Sequence, residues 1–195
     1  MQPTVFILAL LIGVLVLAAL VSVHDFKYRK IPNKFLFAGV VYFCIVFTLM
    51  FIFVPFSYAG KGLLFSIGGA AIGGLILYAP YKIKQVGAGD VKLMAVFGLF
   101  LGIKGGLLTI LVGAMVGGVW ALGLAYRHGG LAHLWYNLKF MARSAYLSGF
   151  KDMGWDLRSE GAIAMPYGVA LSIGAALVAI EQLHLYAGRF MGVAG

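Results

Sequence analysis

The sequence predicts an all-α membrane protein of about six transmembrane helices, with both termini outside the cytoplasm. Three observations predict it. Of the 195 residues, 63% are apolar and only 11% are charged, where a soluble domain carries roughly 25% charged residues, so the chain cannot coat a water-facing surface. Uncharged apolar runs recur from end to end, at about the 20-residue length that crosses the hydrocarbon core of a bilayer. Lys and Arg gather in alternate loops. No stretch is polar for long enough to make a separate soluble domain, so residues 1–195 are read as one membrane domain, and no internal repeat is visible.

The first run, Val5 to Val23, has no Lys or Arg before it and is longer than a signal-peptide core, so it is read as a span. The second runs from about Phe35 to Phe56 and the third from Leu63 to Tyr81. The fourth, Val91 to Ile103, is short and begins just after Asp90. The fifth runs from about Gly105 to Tyr126 and the sixth from about Ile163 to Leu185. The loops at about 24–34, 82–90 and 127–162 then lie on one side. With Lys92 at the edge of the second, they hold twelve of the fifteen Lys and Arg residues, and Lys61, Lys104 and Arg189 lie on the other side. The positive-inside rule makes the three rich loops cytoplasmic. The net charge of +9 is therefore a topology signal, with anionic lipid headgroups as partners, and not a nucleic-acid signal.

Small residues recur at four-residue spacing: Gly69 and Gly73, Gly98 and Gly102, Gly113 and Gly117. Such pairs let helix backbones approach closely in lipid. Leu131, Leu134, Trp135, Leu138 and Met141 suggest an amphipathic helix at the cytoplasmic interface or against the bundle. Asp152, Asp156 and Glu160 beyond it read as a solvated surface, salt-bridged with Lys151 and Arg158. Cys44, alone in its run, is expected to pack in the core.

Two of the six acidic residues sit at the edges of apolar spans. Ionisable groups at that depth are expensive and usually functional. Asp25 closes the first span and Asp90 opens the fourth, with two crossings between them, so both lie at the same leaflet and can meet. A close carboxyl pair shares a proton. Its ionised member can draw a proton from water while the other donates to a peptide carbonyl, with no metal, cofactor or covalent intermediate. The bland alternative is an interfacial Asp25 paired with Lys27 or Arg29, and an Asp90 that merely caps its helix.

The local sequences favour the chemical reading. Asp90 ends Gly87-Ala88-Gly89-Asp90, and Lys92 follows two residues on. Two glycines before a buried acid allow close backbone approach. Asp25 is followed by Ile31-Pro32-Asn33, and Pro32 stiffens the entry to the next span.

These two motifs together resemble the type IV prepilin peptidases, in span number and order over nearly the whole chain. The resemblance implies a membrane aspartic endopeptidase that removes the short basic leader of prepilins or pseudopilins. It implies Asp25 and Asp90 as the catalytic residues and Gly87 and Gly89 as the glycines of the second motif. It further implies a bacterial inner-membrane location with the site at the cytoplasmic face, and pilus assembly machinery as a partner. Met165-Pro166-Tyr167-Gly168 also looks like the family and is assigned no chemistry. The bifunctional members carry an extra cytoplasmic domain, often with paired cysteines, that methylates the new N-terminus. This chain has one cysteine and no room for that domain between the first two spans. It is therefore similar to the short, peptidase-only form of Flp-type tight-adherence systems.

Other readings are weaker. A proton- or cation-coupled transporter would use two membrane acids, but such proteins commonly show inverted repeats and midplane sites. A pilus-assembly scaffold gives no reason for the pair. An archaeal preflagellin peptidase is a related alternative. His24, His128, His133 and His184 do not form a convincing metal-ligand set, and Glu181 and His184 are read as interfacial or bundle-facing.

Overall fold

A computed structural model describes residues 3–82, 85–127 and 166–190, and among these every regular element is helix. Five helices are long and apolar enough to cross a membrane. They are α1 (Pro3–Tyr28), α2 (Asn33–Phe53), α3 (Phe56–Lys82), α4 (Ala88–Arg127) and α5 (Tyr167–Phe190). In lipid the backbone must satisfy its own hydrogen bonds, and a helix does so within one segment. The expected interfacial helix over 128–162, the acids Asp152, Asp156 and Glu160, and Met165 lie outside the described residues.

The link between α1 and α2 is short and built for a sharp reversal. The amide of Arg29 donates to the Asp25 carbonyl at 2.8 Å. Arg29 itself takes a left-handed conformation, φ 50°, as residues just past a helix end commonly do. Pro32 (φ −68°, ψ 128°) is the N-cap of α2, and its carbonyl accepts from Phe35. Pro32 thus makes the stiff entry that its fixed φ implies. The next reversal is tighter than the apolar runs suggest. The second helix ends at Phe53, before Pro55, and α3 begins at Phe56, seven residues ahead of the apolar run at Leu63. The Pro55 carbonyl accepts from Tyr58 and Ala59 and so starts α3 at once.

The fourth and fifth expected spans form one helical element with a break. Gly102 has φ 69° and ψ −173°, a region essentially restricted to glycine. The chain reverses there. A Cβ built on Gly106 would lie 3.4 Å from the Gly98 Cα, although eight residues of straight helix rise about 12 Å. Gly102 is therefore a corner as well as the packing glycine that its spacing from Gly98 suggested, since a Cβ on Gly69 would lie 2.8 Å from its Cα.

Around this corner the packing is through glycine. A Cβ on Gly69 would collide with the Gly98 carbonyl, and one on Gly98 with the Gly69 carbonyl. Gly73 faces the Met94 carbonyl at 2.9 Å on the same terms, so α3 runs antiparallel to the first half of α4. The second half runs antiparallel to α5: Gly105 lies against Gln182, and Gly113 against Leu171 and the Ala170 carbonyl. Gly69, Gly73, Gly98 and Gly113 thus serve helix packing as expected. Cys44 is exposed and does not join the core. The buried stripe of α2 is Leu36, Gly39, Phe43, Val46, Phe47 and Met50, and position 44 falls on the opposite face.

Candidate active site

One end of the bundle gathers the C-terminus of α1 and the N-termini of α2, α4 and α5. Asp25 reaches it by helical register. The buried stripe of α1 passes through Leu10, Val14, Ala18 and Val21, and the next position at the same spacing is Asp25. Its side chain is turned into the bundle, and the residue is only 5% exposed. Oδ2 is buried and has no hydrogen-bond partner among the described residues. The carboxyl lies against the start of α5, where the amides of Gly168 and Val169 approach it without meeting Oδ2 in hydrogen-bond geometry. The Val169 amide also donates to the Pro166 carbonyl at 3.2 Å. A helix N-terminus is the positive end of its dipole and presents unfilled N–H groups.

Asp90 is half-buried at the start of α4. It does not occupy the cap position itself. Gly87 precedes the helix, and Asp90 is its third residue. The Gly87 amide donates to Asp90 Oδ2 at 3.0 Å, while the Asp90 amide donates to the Gly87 carbonyl at 3.1 Å. This reciprocal pair is the acid half of a capping box. The approach is close: a Cβ on Gly87 would stand 3.0 Å from Asp90 Oδ2.

The Ile31-Pro32-Asn33 link joins the two sides. A Cβ on Gly89 would lie 3.3 Å from the Ile31 Cβ, and one on Gly168 would lie 2.9 Å from the Ile31 Cδ1. Ile31 is therefore wedged between the helix that carries Asp90 and the helix that Asp25 faces. Two residues on, Lys92 Nζ donates to Asn33 Oδ1 at 3.4 Å, an exposed tie between α4 and α2. Tyr167 completes the enclosure: it is half-buried and lies within electrostatic reach of Asp90. The Asp25 carboxyl thus lies against Gly168, and Ile31 links that glycine to Gly89 beside Asp90.

His24 is committed elsewhere. Its Nδ1 lies 2.8 Å from the Lys30 carbonyl, and its ring packs against Tyr28 and Phe35 with centroids 4.6 and 5.6 Å away. Its work is to hold the link after α1. Glu181 and His184 are exposed on the far part of α5. Tyr167 and Gly168 are the residues whose place at this site sequence reasoning missed. The signal was present, since Pro166 before Tyr167-Gly168 marks a helix start, but nothing in the spacing said that this start meets Asp25.

Two carboxyls approached from a shared helix start, one buried and one half-buried, form an arrangement suited to water activation and carbonyl protonation. Neither the curated proteins nor the solved structures gave a significant match. The sequence profile of the type IV leader peptidase family matches residues 5–122, a span that includes Asp25 and Asp90 and leaves α5 outside. That match covers more than half of the chain, and on it the chain belongs to the type IV leader peptidase family.

Proposed function

We propose that the chain is an aspartic endopeptidase of the bacterial inner membrane that removes the short basic leader from a prepilin or pseudopilin at the cytoplasmic face, with Asp25 and Asp90 as its catalytic residues. The observation that carries this reading is that the buried Asp25 of α1 lies against Gly168 at the start of α5, while Ile31 packs between that glycine and Gly89, the residue before Asp90 on α4.

In the proposed reaction the ionised carboxyl takes a proton from water as the water oxygen bonds to the scissile carbonyl carbon. The protonated carboxyl donates its proton to the carbonyl oxygen, which gives a neutral tetrahedral diol. Collapse of the diol breaks the C–N bond, and a proton passes to the departing nitrogen. The products are the leader, ending in a carboxyl group, and a pilin with a new amino terminus. Ile31, Pro32, Asn33, Gly87, Gly89 and Lys92 support the acids from the link and from the α4 N-terminus.

The finer parts of the reading rest on sequence and packing together. The reversal at Gly102 supports two crossings within α4, hence six in all, with both termini outside and the basic loops in the cytoplasm. The link of residues 29–32 between α1 and α2 holds no methyltransferase domain. This favours a peptidase-only enzyme of the Flp type, working beside pilus assembly machinery and anionic lipid.

The test is co-expression with a Flp-type prepilin, following leader removal by gel shift and mass spectrometry. Wild type is expected to cleave, and Asp25→Asn and Asp90→Asn are expected to reach the membrane and leave the precursor intact. Cleavage by either variant would refute the two-acid mechanism.

A further inference from the structure

We infer that Gly168, at the start of α5, is a positioning residue for the reaction: it leaves the space in which the Asp25 carboxyl lies, and any side chain there displaces that carboxyl. The inference rests on the reading of Asp25 as catalytic and extends it to a helix outside the matched family region.

The geometry is specific. A Cβ on Gly168 would stand 2.7 Å from Asp25 Oδ2 and 3.2 Å from its Cγ. Real Cβ contacts essentially never close to the first distance, so something must move. Asp25 has little room to retreat, because it is only 5% exposed and Oδ2 is buried. The α5 backbone is held too: three turns of that helix are locked to α4 through Gly113 against Leu171, Gly174 against the Thr109 carbonyl, and Gly105 against Gln182. The carboxyl is therefore the group that yields.

The two acids then have matching supports. Gly87 stands 3.0 Å, measured from a built Cβ, from Asp90 Oδ2, and its amide donates to that oxygen. Gly168 crowds Asp25 Oδ2 more closely, at 2.7 Å on the same measure, although that oxygen takes no hydrogen bond among the described residues. Each acid is seated against a glycine at a helix start, one on its own helix and one on a neighbour. The second contact ties the position of Asp25 to the docking of α5.

A rival account of Gly168 is that it merely admits Ile31, whose Cδ1 would be 2.9 Å from the same Cβ. The experiment separates the two. Wild type, Gly168→Ala, Gly68→Ala and the double variant Gly168→Ala with Ile31→Val are purified in detergent. Their kcat and KM are measured on a purified Flp-type prepilin, with thermal unfolding recorded in parallel. Gly68 is the control: a Cβ there would be 2.8 Å from the Ile103 Cδ1, as crowded but on α3 and away from the acids.

Gly168→Ala is expected to lower kcat on the order of a hundredfold, the effect of a misplacement of about 1 Å at a reacting group, with KM unchanged and no rescue by Ile31→Val. Gly68→Ala is expected to lower the unfolding temperature and leave the kcat of the folded enzyme unchanged. A stability cycle covers the case in which Gly168→Ala folds poorly: the substitution should destabilise the wild-type background and be tolerated in Asp25→Ala. Wild-type kcat in Gly168→Ala, full rescue by Ile31→Val, an equal kcat loss in Gly68→Ala, or equal destabilisation in both backgrounds would each overturn the inference. Asp25→Asn is run alongside. Cleavage by that variant would refute the catalytic reading itself, whereas a dead Asp25→Asn beside a fully active Gly168→Ala would remove only the role of Gly168.

Discussion

Replacing Gly102 with alanine tests the corner in α4 by the sign of its effect. In the structure Gly102 has φ 69° and ψ −173°. An L side chain in that region costs about 1–3 kcal/mol. Space is not the obstacle, since a Cβ there would meet only the Phe65 carbonyl at 3.7 Å, an ordinary contact. The cost is thus the backbone term alone, and Gly102→Ala is expected to destabilise by about 1–3 kcal/mol. A straight helix of the same 40 residues would behave in the opposite way, because alanine in a helix interior is favoured over glycine by about 1 kcal/mol. The assay is unfolding in detergent micelles, followed by circular dichroism or by steric trapping, with wild type in parallel. A lower stability supports the reversal. An equal or higher stability would refute the reasoning and, with it, the second crossing within α4.

Other substitutions follow from the same contacts. Gly69→Ala drives a methyl group into the Gly98 carbonyl and towards the Gly102 Cα at 2.8 Å; backbone cannot step aside as a side chain can, so a loss of about 1–3 kcal/mol or more is expected in the same unfolding assay. Asp90→Ala removes the acceptor for the Gly87 amide and should lower stability by about 1 kcal/mol. Asp90→Asn keeps an acceptor oxygen and should unfold near wild type, so circular dichroism melts separate the capping role from the catalytic one. Arg29→Gly releases a left-handed residue with φ 50° and should raise stability by up to about 1 kcal/mol in the melt.

What the sequence reveals and what it hides have physical causes. The spans were legible because crossing a bilayer demands length and apolarity, and both are written in one dimension. Their ends were less so: Pro55 lets α3 begin at Phe56, inside what reads as loop. The buried face of α1 was hidden because that helix is apolar all round, so no amphipathic stripe marks Val14, Ala18 and Val21 as the side that leads to Asp25. Cys44 was misread for the same reason, since lipid-facing and core-facing positions share one composition in a membrane. Gly98 and Gly102 share the spacing of a packing pair and both meet Gly69, and only the backbone shows that Gly102 is also a corner. Asp25 and Asp90 were legible as candidates from crossing parity and motif. The seat of Asp25 against Gly168 was not, because it depends on α5 arriving from a segment far along the chain.

That dependence makes the candidate site a matter of helix register. Asp25 stands on α1 and Asp90 on α4, and no covalent segment shorter than two helices joins them. Sliding α4 by one residue would shift Asp90 by about 1.5 Å along the helix axis and turn it by about 100°, enough to take it from Tyr167. Lipid supplies no hydrophobic drive to oppose such a slip, because the tails are as apolar as the helices. Close backbone contact supplies it instead. The mutual fit of Gly69 and Gly98 fixes α4 against α3, the corner at Gly102 sets where its second half begins, and Gly113 and Gly174 seat α5 on that half. Ile31, held between Gly89 and Gly168, then closes the circuit back to α1. On this argument the packing glycines set where the two candidate acids stand.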